Sequence, residues 1–170
     1  MIENKHNDLK IEKQMSLWGV GPKIVLVLLP FIILFCFLHF TFYPLFLLPF
    51  ESLLMIIIGI IFIIIGIPIY FKSRKTIIKA YHSSELVTSG IYGHMRHPLY
   101  GAFILFITPG IVFIFNSWIL FFIPLSYYII FRIFIRKEER YCIEKFGEQY
   151  IKYKKQVYAI FPKLKAYKTT

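Results

Sequence analysis

Four long apolar blocks are the feature of this 170-residue chain that most restricts its fold. They cover residues 24–42, 53–71, 99–115 and 117–135, and Arg132 is the one charged residue inside them. A helix of about 20 residues crosses the ~30 Å hydrocarbon core of a bilayer, because each residue adds ~1.5 Å. A water-soluble core of this size could not absorb such continuous runs. The sequence therefore predicts an all-α integral membrane protein with four transmembrane helices.

The net charge of +11 is concentrated at the edges of the apolar blocks. Lysines and arginines occur in the tail of residues 1–23, in the loop of residues 72–98 and in the segment from Arg136 onward, whereas the loops at residues 44–52 and Asn116 contain none. By the positive-inside rule, the three basic segments are predicted to be cytoplasmic, which requires an even number of crossings. A charge distributed in this way does not indicate a nucleic-acid partner, and none is predicted.

These boundaries divide the chain into three predicted parts. Residues 1–23 form a cytoplasmic tail, residues 24–71 contain the first two transmembrane helices, and residues 72–170 form the part that carries the chemistry. That last part contains a transmembrane hairpin over residues 99–135, bent near Pro109, and a C-terminal cytoplasmic helical extension. The spacing of the two cysteines indicates neither a disulfide nor a zinc site, so no metal is predicted.

The polar segment of residues 82–100 is rich in glycine, aromatic and basic residues. Glycines permit tight turns and a close approach of the backbone to a ligand. Pro98 disfavours the α conformation at His97, which should hold this histidine in an extended conformation at the membrane surface. Taken alone, His97 would be a helix start, and Tyr92 and Tyr100 would be interfacial aromatic residues. Taken together, these residues predict a ligand site.

Two adjacent glutamates follow the fourth apolar block. If its helix continues beyond Ile135, Glu139 lies beside a stripe of arginines, where a surface ion pair with Arg136 is expected. Glu138 lies on another face, among apolar neighbours. A carboxylate in such surroundings is costly unless a cation or a hydrogen-bond donor meets it. We therefore predict a structural role for Glu139 and a ligand for Glu138; the alternative is that Glu138 simply reaches into water.

Arg132 lies about one turn inside the fourth apolar block. Its side chain could extend to the membrane surface, as arginines near the ends of transmembrane helices commonly do. It could equally face a polar cavity and hold the anionic group of a substrate. The sequence leaves both interpretations open.

The order of motifs resembles one known family. The run LVTSGIYGHMRHPLYG, then an apolar hairpin, then EERYCIEKFGEQYIKYKKQVYAIFP is similar to the isoprenylcysteine carboxyl methyltransferase family, which in turn resembles the phospholipid methyltransferases. The resemblance implies a helical membrane fold that binds S-adenosyl-L-methionine on its cytoplasmic side. It implies that a methyl group is transferred to a lipophilic acceptor, which is a small molecule, a lipid or a lipidated protein.

The resemblance also implies roles for individual residues. Those that match cofactor-binding positions of the family are Leu86, Val87, Tyr92, His97, Pro98, Tyr100 and Glu138. The family's eukaryotic members often have histidine at the position of Ser84. They also carry, at the position of Phe134, an arginine proposed to act on the substrate carboxylate. Arg132 or Arg136 is then the candidate catalytic residue that orients the substrate.

Two other functions remain as alternatives. The first keeps the cofactor and changes the acceptor to a phospholipid amine or a small thiol. The second is a non-catalytic membrane protein whose basic cytoplasmic surface binds anionic lipid or a partner subunit. The second alternative accounts for the apolar blocks and the charge but leaves Glu138 and the glycine-rich segment unexplained.

Overall fold

The computed structural model describes residues 19–83 and 85–167, and it consists of helices joined by short loops. The four main helices, as they follow along the chain, are α1 (Gly21–Thr41), α2 (Ser52–Ser83), α3 (Pro98–Ile114) and α4 (Phe122–Gln156). Short 3₁₀ turns at Gly90–Gly93 and Ile119–Phe121 precede α3 and α4. Within the described ranges no strand is present, apart from one isolated bridge between Leu47 and Ser117.

Three of these helices are long and apolar enough to cross a membrane. They are α1, the Ser52–Ala80 part of α2, and the helical stretch Ile119–Gln156 that includes α4. The protein is therefore an all-helical membrane protein, as predicted. α3 is apolar but shorter than these three, so the fourth crossing stays a prediction. The cytoplasmic position of the termini also stays a prediction.

The predicted helix boundaries need two corrections. α1 begins at Gly21, with Pro22 in its first turn, where the missing proline N–H costs no hydrogen bond. α2 continues to Ser83, so the first half of the segment predicted as a polar loop is helical. Hydropathy marks where a helix leaves the hydrocarbon, and a helix with a polar end can continue well beyond that point.

α3 contains a wider turn just before Pro109, the residue near which a bend was predicted. Residues Phe103–Ile107 adopt π-helical geometry, and the Thr108 hydroxyl donates a hydrogen bond to the Phe103 carbonyl over 2.8 Å. Proline has no N–H to donate to the preceding turn, and a π turn with a threonine hydroxyl is one way to accommodate that loss.

Glycines bring the backbones of α2 and α3 into direct contact. A Cβ atom built on Gly59 would lie 2.5 Å from the Gly110 carbonyl oxygen, and one built on Gly110 would lie 2.8 Å from the Gly59 carbonyl oxygen. About two turns farther along α2, a Cβ atom built on Gly66 would lie 2.7 Å from Ile107 Cγ1. Small residues are what membrane helices need for such a close approach, because helix association in lipid depends on packing rather than on the hydrophobic effect.

α4 does not run straight to Gln156. Gly147 has φ 53° and ψ −133°, which is not helical. In an unbroken helix Glu139 and Lys154 would be about 22 Å apart, yet Lys154 Nζ lies 2.8 Å from Glu139 Oε2. The chain therefore reverses at Gly147, and the last part of α4 returns toward the start of α3. The predicted helical extension is present as a folded-back hairpin; its cytoplasmic location stays a prediction.

Candidate functional site

A cavity of about 620 Å³ lies where α1, α2 and α4 meet the loop that precedes α3. This volume is within the range of ~300–1,000 Å³ that is common for small-molecule sites. One part of its wall is polar and aromatic and includes Glu138, His97 and Tyr100, whereas the part formed by α1 and α2 is mostly apolar and includes Leu26 and Ile77. The cavity therefore combines a polar region with an apolar side.

Glu138 projects into this cavity from α4. Its Oε2 atom accepts a hydrogen bond from the Tyr100 hydroxyl over 3.2 Å, and its Oε1 atom lies 3.8 Å from His97 Nδ1. A Cβ atom on Gly19 would lie only 3.0 Å from Oε2, so the backbone before α1 covers this carboxylate closely. Within residues 19–83 and 85–167 no lysine or arginine forms an ion pair with Glu138. The carboxylate can therefore receive a cationic group of a ligand.

His97 connects the two neighbouring glutamates. Its φ of −125° and ψ of 62° lie outside the helical region, as the restriction imposed by Pro98 requires, but they do not reach the extended conformation that was predicted. The ring is 7% exposed, and its Nε2 atom lies 3.3 Å from Glu139 Oε1 while Nδ1 faces Glu138. The histidine is thus held between two carboxylates from the same turn of α4.

The prediction of a surface ion pair between Glu139 and Arg136 was wrong. Glu139 is 7% exposed, and its partners are Arg96, with Nη2 at 2.5 Å and Nε at 3.1 Å, and Lys154 at 2.8 Å. Arg96 also donates through Nη1 to the carbonyl oxygens of Lys154 and Val157, near the C-terminal end of α4. Helical spacing could not indicate these partners, because they arrive through the loop before α3 and the reversal at Gly147.

Tyr92 lies in the 3₁₀ turn before α3, and hydrogen bonds to two other helices hold it in place. Its hydroxyl donates to the Ser73 carbonyl over 3.2 Å, and the Tyr153 hydroxyl donates to the Tyr92 carbonyl over 2.5 Å. Burial raises the pKa of Tyr92 well above its usual value, with a further contribution from the Glu138 charge, so the phenol stays protonated at neutral pH. This turn therefore joins α2 to the returning part of α4.

The structure brings together most of the residues predicted to bind a cofactor. Those that line the cavity are Leu86, Val87, Tyr92, His97, Tyr100 and Glu138. Pro98 does not line it; this proline is fully buried at the start of α3 and acts on the site through the backbone of His97. The role of all seven as cofactor contacts stays a prediction. Ser84, Trp18 and the rest of the predicted tail up to residue 18 lie outside the described residues.

The two arginines predicted to be catalytic are not part of the cavity. Arg132 and Arg136 are exposed, and neither lines the cavity wall, to which Arg74 and Arg96 contribute instead. The exposed position of Arg132 on α4 argues against the alternative in which its side chain faces this cavity. Arg74 lies on the polar continuation of α2, which hydropathy assigned to a loop, so the sequence pattern did not place it on a helical face.

Sequence reasoning also missed the contribution of two ends of the chain. Gly19 and several apolar residues of α1 line the cavity, and so do Tyr150 and Tyr153 of the returning part of α4. The three-residue spacing of the two tyrosines placed them on one helical face, but only the reversal at Gly147 turns that face toward the cavity. No sequence signal marked Gly19.

The fold is that of a helical membrane protein with a ligand-sized cavity at the polar end of its helices. The model of the isoprenylcysteine carboxyl methyltransferase (ICMT) family matches residues 52–144, a little more than half of the chain. The chain belongs to this family, and it is therefore a membrane methyltransferase. No curated protein matches it significantly. The matched region includes α2, α3 and most of α4, whereas Gly19, α1 and the returning part of α4 complete the cavity from outside it.

Proposed function

We infer that this protein transfers a methyl group from S-adenosyl-L-methionine to a lipophilic acceptor that reaches the cavity from the membrane. The observation that carries this proposal is the carboxylate of Glu138, which is half-buried in the cavity wall and meets Tyr100 and His97 but no lysine or arginine among the described residues. Such a carboxylate fits the ammonium group of an amino-acid cofactor.

The other residues of the polar region fit the same cofactor. Aromatic faces attract a sulfonium cation and stack on a nucleobase, and the cavity presents tyrosines 92, 100, 150 and 153. Leu86 and Val87 line the wall in a segment that lies outside the helices. When bound, the cofactor supplies an activated methyl group; the chain supplies orientation and electrostatics.

The apolar side of the cavity supports access from the lipid. α1 packs against α4, and α2 packs against α3, so α1 and α2 border the cavity from opposite sides. Leu26 of α1 lines the cavity and is nevertheless 72% exposed, and Ile77 of α2 is exposed as well. A lipophilic acceptor could therefore enter between α1 and α2 without leaving an apolar environment.

Arg74 is the residue we assign to orient an anionic acceptor. It projects from α2 into the cavity wall, close in sequence to Tyr70 and Ile77, which also line it. A guanidinium at that place can hold a carboxylate through two parallel hydrogen bonds. An ionised carboxylate needs no general base, so these residues have only to align it with the methyl group and exclude water, which alone can lower a barrier by several kcal/mol, up to ~7–11.

The test uses purified protein, methyl-labelled S-adenosyl-L-methionine, a membrane lipid extract and a prenylated cysteine substrate. We expect a base-labile methyl ester on the prenylated substrate. Arg74→Gln should lower kcat/KM about tenfold, as expected for the loss of one charged contact of ~1.5 kcal/mol. The matched control Arg132→Gln, on the exposed side of α4, should leave kcat/KM unchanged. A base-stable product in the lipid fraction would instead indicate an amine acceptor, and absence of saturable cofactor binding would refute the proposal.

Gly19→Ala tests whether the backbone before α1 belongs to the cofactor site. The new Cβ would lie 3.0 Å from Glu138 Oε2 and 3.3 Å from the Tyr100 hydroxyl, at a φ of +55°. We expect S-adenosylhomocysteine to bind several-fold more weakly. The control is Gly90→Ala, which has a similar φ of +60° but open space around the new atom; both variants bear the ~1–2 kcal/mol backbone cost. Equal affinities of the two variants, measured by calorimetry in detergent, would show that Gly19 does not act on the site.

A further inference from the structure

The C-terminal segment, defined as residues 152–165, returns to the start of α3. The Arg96 N–H donates to the Tyr158 carbonyl over 2.9 Å, and the His97 N–H donates to the Ala159 carbonyl over 2.8 Å. His97 immediately precedes α3, the apolar helix that begins at Pro98. Residues 158 and 159 therefore lie at the level where the protein surface changes from polar to apolar.

The next residues of this segment reach the apolar part of α4. The ring of Phe161 contacts that of Tyr128, with 6.3 Å between centroids. Tyr128 precedes Ile135, the end of the fourth apolar block, by about 10 Å along the helix. Ile160 is buried beside Gly101, on which a Cβ atom would lie 3.3 Å from the Ile160 carbonyl oxygen. The segment is thus continuous with the surface that faces lipid.

Apart from Gln156, the exposed side chains of the segment are apolar, aromatic or basic. Tyr158 is 64% exposed, Phe161 is 53% exposed and Leu164 is fully exposed. Lysines occupy positions 152, 154, 155, 163 and 165, and the segment contains no aspartate or glutamate. Exposed aromatic and aliphatic groups between lysines are typical of segments that insert at the boundary between headgroups and acyl chains of an anionic leaflet.

We propose that the C-terminal segment binds anionic lipid headgroups of the membrane in which the protein sits, and that this binding adjusts the affinity of the cavity. The connection is direct. Arg96 lines the cavity, holds the carbonyls of Lys154 and Val157 and pairs with Glu139, whose neighbour Glu138 is the cavity carboxylate. Lipid contact that immobilises the segment therefore also immobilises Arg96 and His97. The lipid binding stands independently, whereas its effect on the cavity rests on the proposed function.

The first test measures lipid binding alone. The full chain is extracted from membranes and the phosphatidylglycerol molecules that it retains are counted by native mass spectrometry. A variant with glutamine at Lys152, Lys155 and Lys165 should retain fewer phosphatidylglycerol molecules than the wild type. Leu164→Ser, which alters a fully exposed side chain, should also retain fewer of these lipids. The control carries glutamine at Lys72, Lys75 and Lys79, three exposed lysines at the polar end of α2. Equal losses in the two triple variants would indicate general charge attraction and would overturn the proposal.

The second test measures the coupling. In nanodiscs of phosphatidylcholine alone or mixed with phosphatidylglycerol, S-adenosylhomocysteine should bind the wild-type chain about fivefold more tightly in the anionic discs, at the lower end of ordinary coupling between sites. The variant of the C-terminal segment should lose this difference, and the α2 control should keep it. No binding of S-adenosylhomocysteine in either disc would refute the proposed function and leave the lipid count valid. Equal binding in both discs would refute the coupling.

Discussion

Replacing Arg96 with methionine is expected to lower the free energy of unfolding by about 3 kcal/mol. Removing one partner of a buried ion pair typically costs ~3–5 kcal/mol, because the other charge stays buried without compensation. The lower end applies here, since Lys154 still meets the second oxygen of Glu139. The substitution also leaves the carbonyls of Lys154 and Val157 without their donor at the end of α4. The loss of stability should therefore affect the whole returning part of α4.

Thermal unfolding in detergent measures this effect, with Arg136→Met as the matched control on the exposed face of α4. The control should unfold at nearly the wild-type temperature. Arg96→Lys should recover only part of the loss, because an ammonium group cannot make the parallel contacts of the guanidinium. If the Arg96→Met and Arg136→Met variants had the same unfolding temperature, the ion pair with Glu139 would not stabilise the fold.

Glu138→Ala is expected to weaken binding of S-adenosyl-L-methionine by at least about tenfold, since a charged hydrogen-bond partner contributes ~1.5–3 kcal/mol. His97→Ala should weaken binding to a similar extent, because the ring stands between Glu138 and Glu139 and positions both carboxylates. For Glu138→Ala the expected loss is in affinity and not in folding, because Glu138 makes no ion pair with a described lysine or arginine.

Equilibrium binding of S-adenosylhomocysteine to the purified variants checks this prediction. Glu144→Ala is the control, an exposed glutamate of α4 outside the cavity wall. Glu144→Ala should bind like the wild type, and Glu138→Ala should unfold within a few degrees of the wild-type temperature. Unchanged affinity in both the Glu138 and the His97 variants would refute the cofactor site proposed here.

The apolar blocks predicted the helices well because a transmembrane helix satisfies its backbone hydrogen bonds locally. In hydrocarbon each backbone N–H and C=O must find a partner within its own helix, so composition and length alone indicate where a helix lies. The same approach placed helix ends poorly, at Gly21 and Ser83, because polar residues continue a helix in water as readily as they end it. The exclusion of His97 from the α conformation was also predictable, since the restriction imposed by Pro98 acts between neighbours, whereas the extended conformation predicted for it was wrong.

The adjacent glutamates show where local reasoning stops. Helical geometry separated Glu138 from Glu139, and the structure gives the two carboxylates different partners. That geometry nevertheless assigned Glu139 to Arg136, because a three-residue spacing considers one helix only. Its real partner, Arg96, lies 43 residues away in sequence. The charges that compensate the burial of the Glu139 carboxylate come from other parts of the chain. The positions of those charges depend on the path of the backbone between the helices.

The sequence by itself determined that this protein is a helical membrane protein, which segments are polar, and that residues 82–100 and Glu138 carry the features of a ligand site. Those properties follow from hydropathy, proline and glycine chemistry and helical spacing, all of which act over a few residues. Only the tertiary structure decided that Gly19 covers Glu138, that Arg74 rather than Arg132 lines the cavity, and that α4 reverses at Gly147. Each of these depends on the path of the backbone between distant segments, because contact between them is established only when the helices pack.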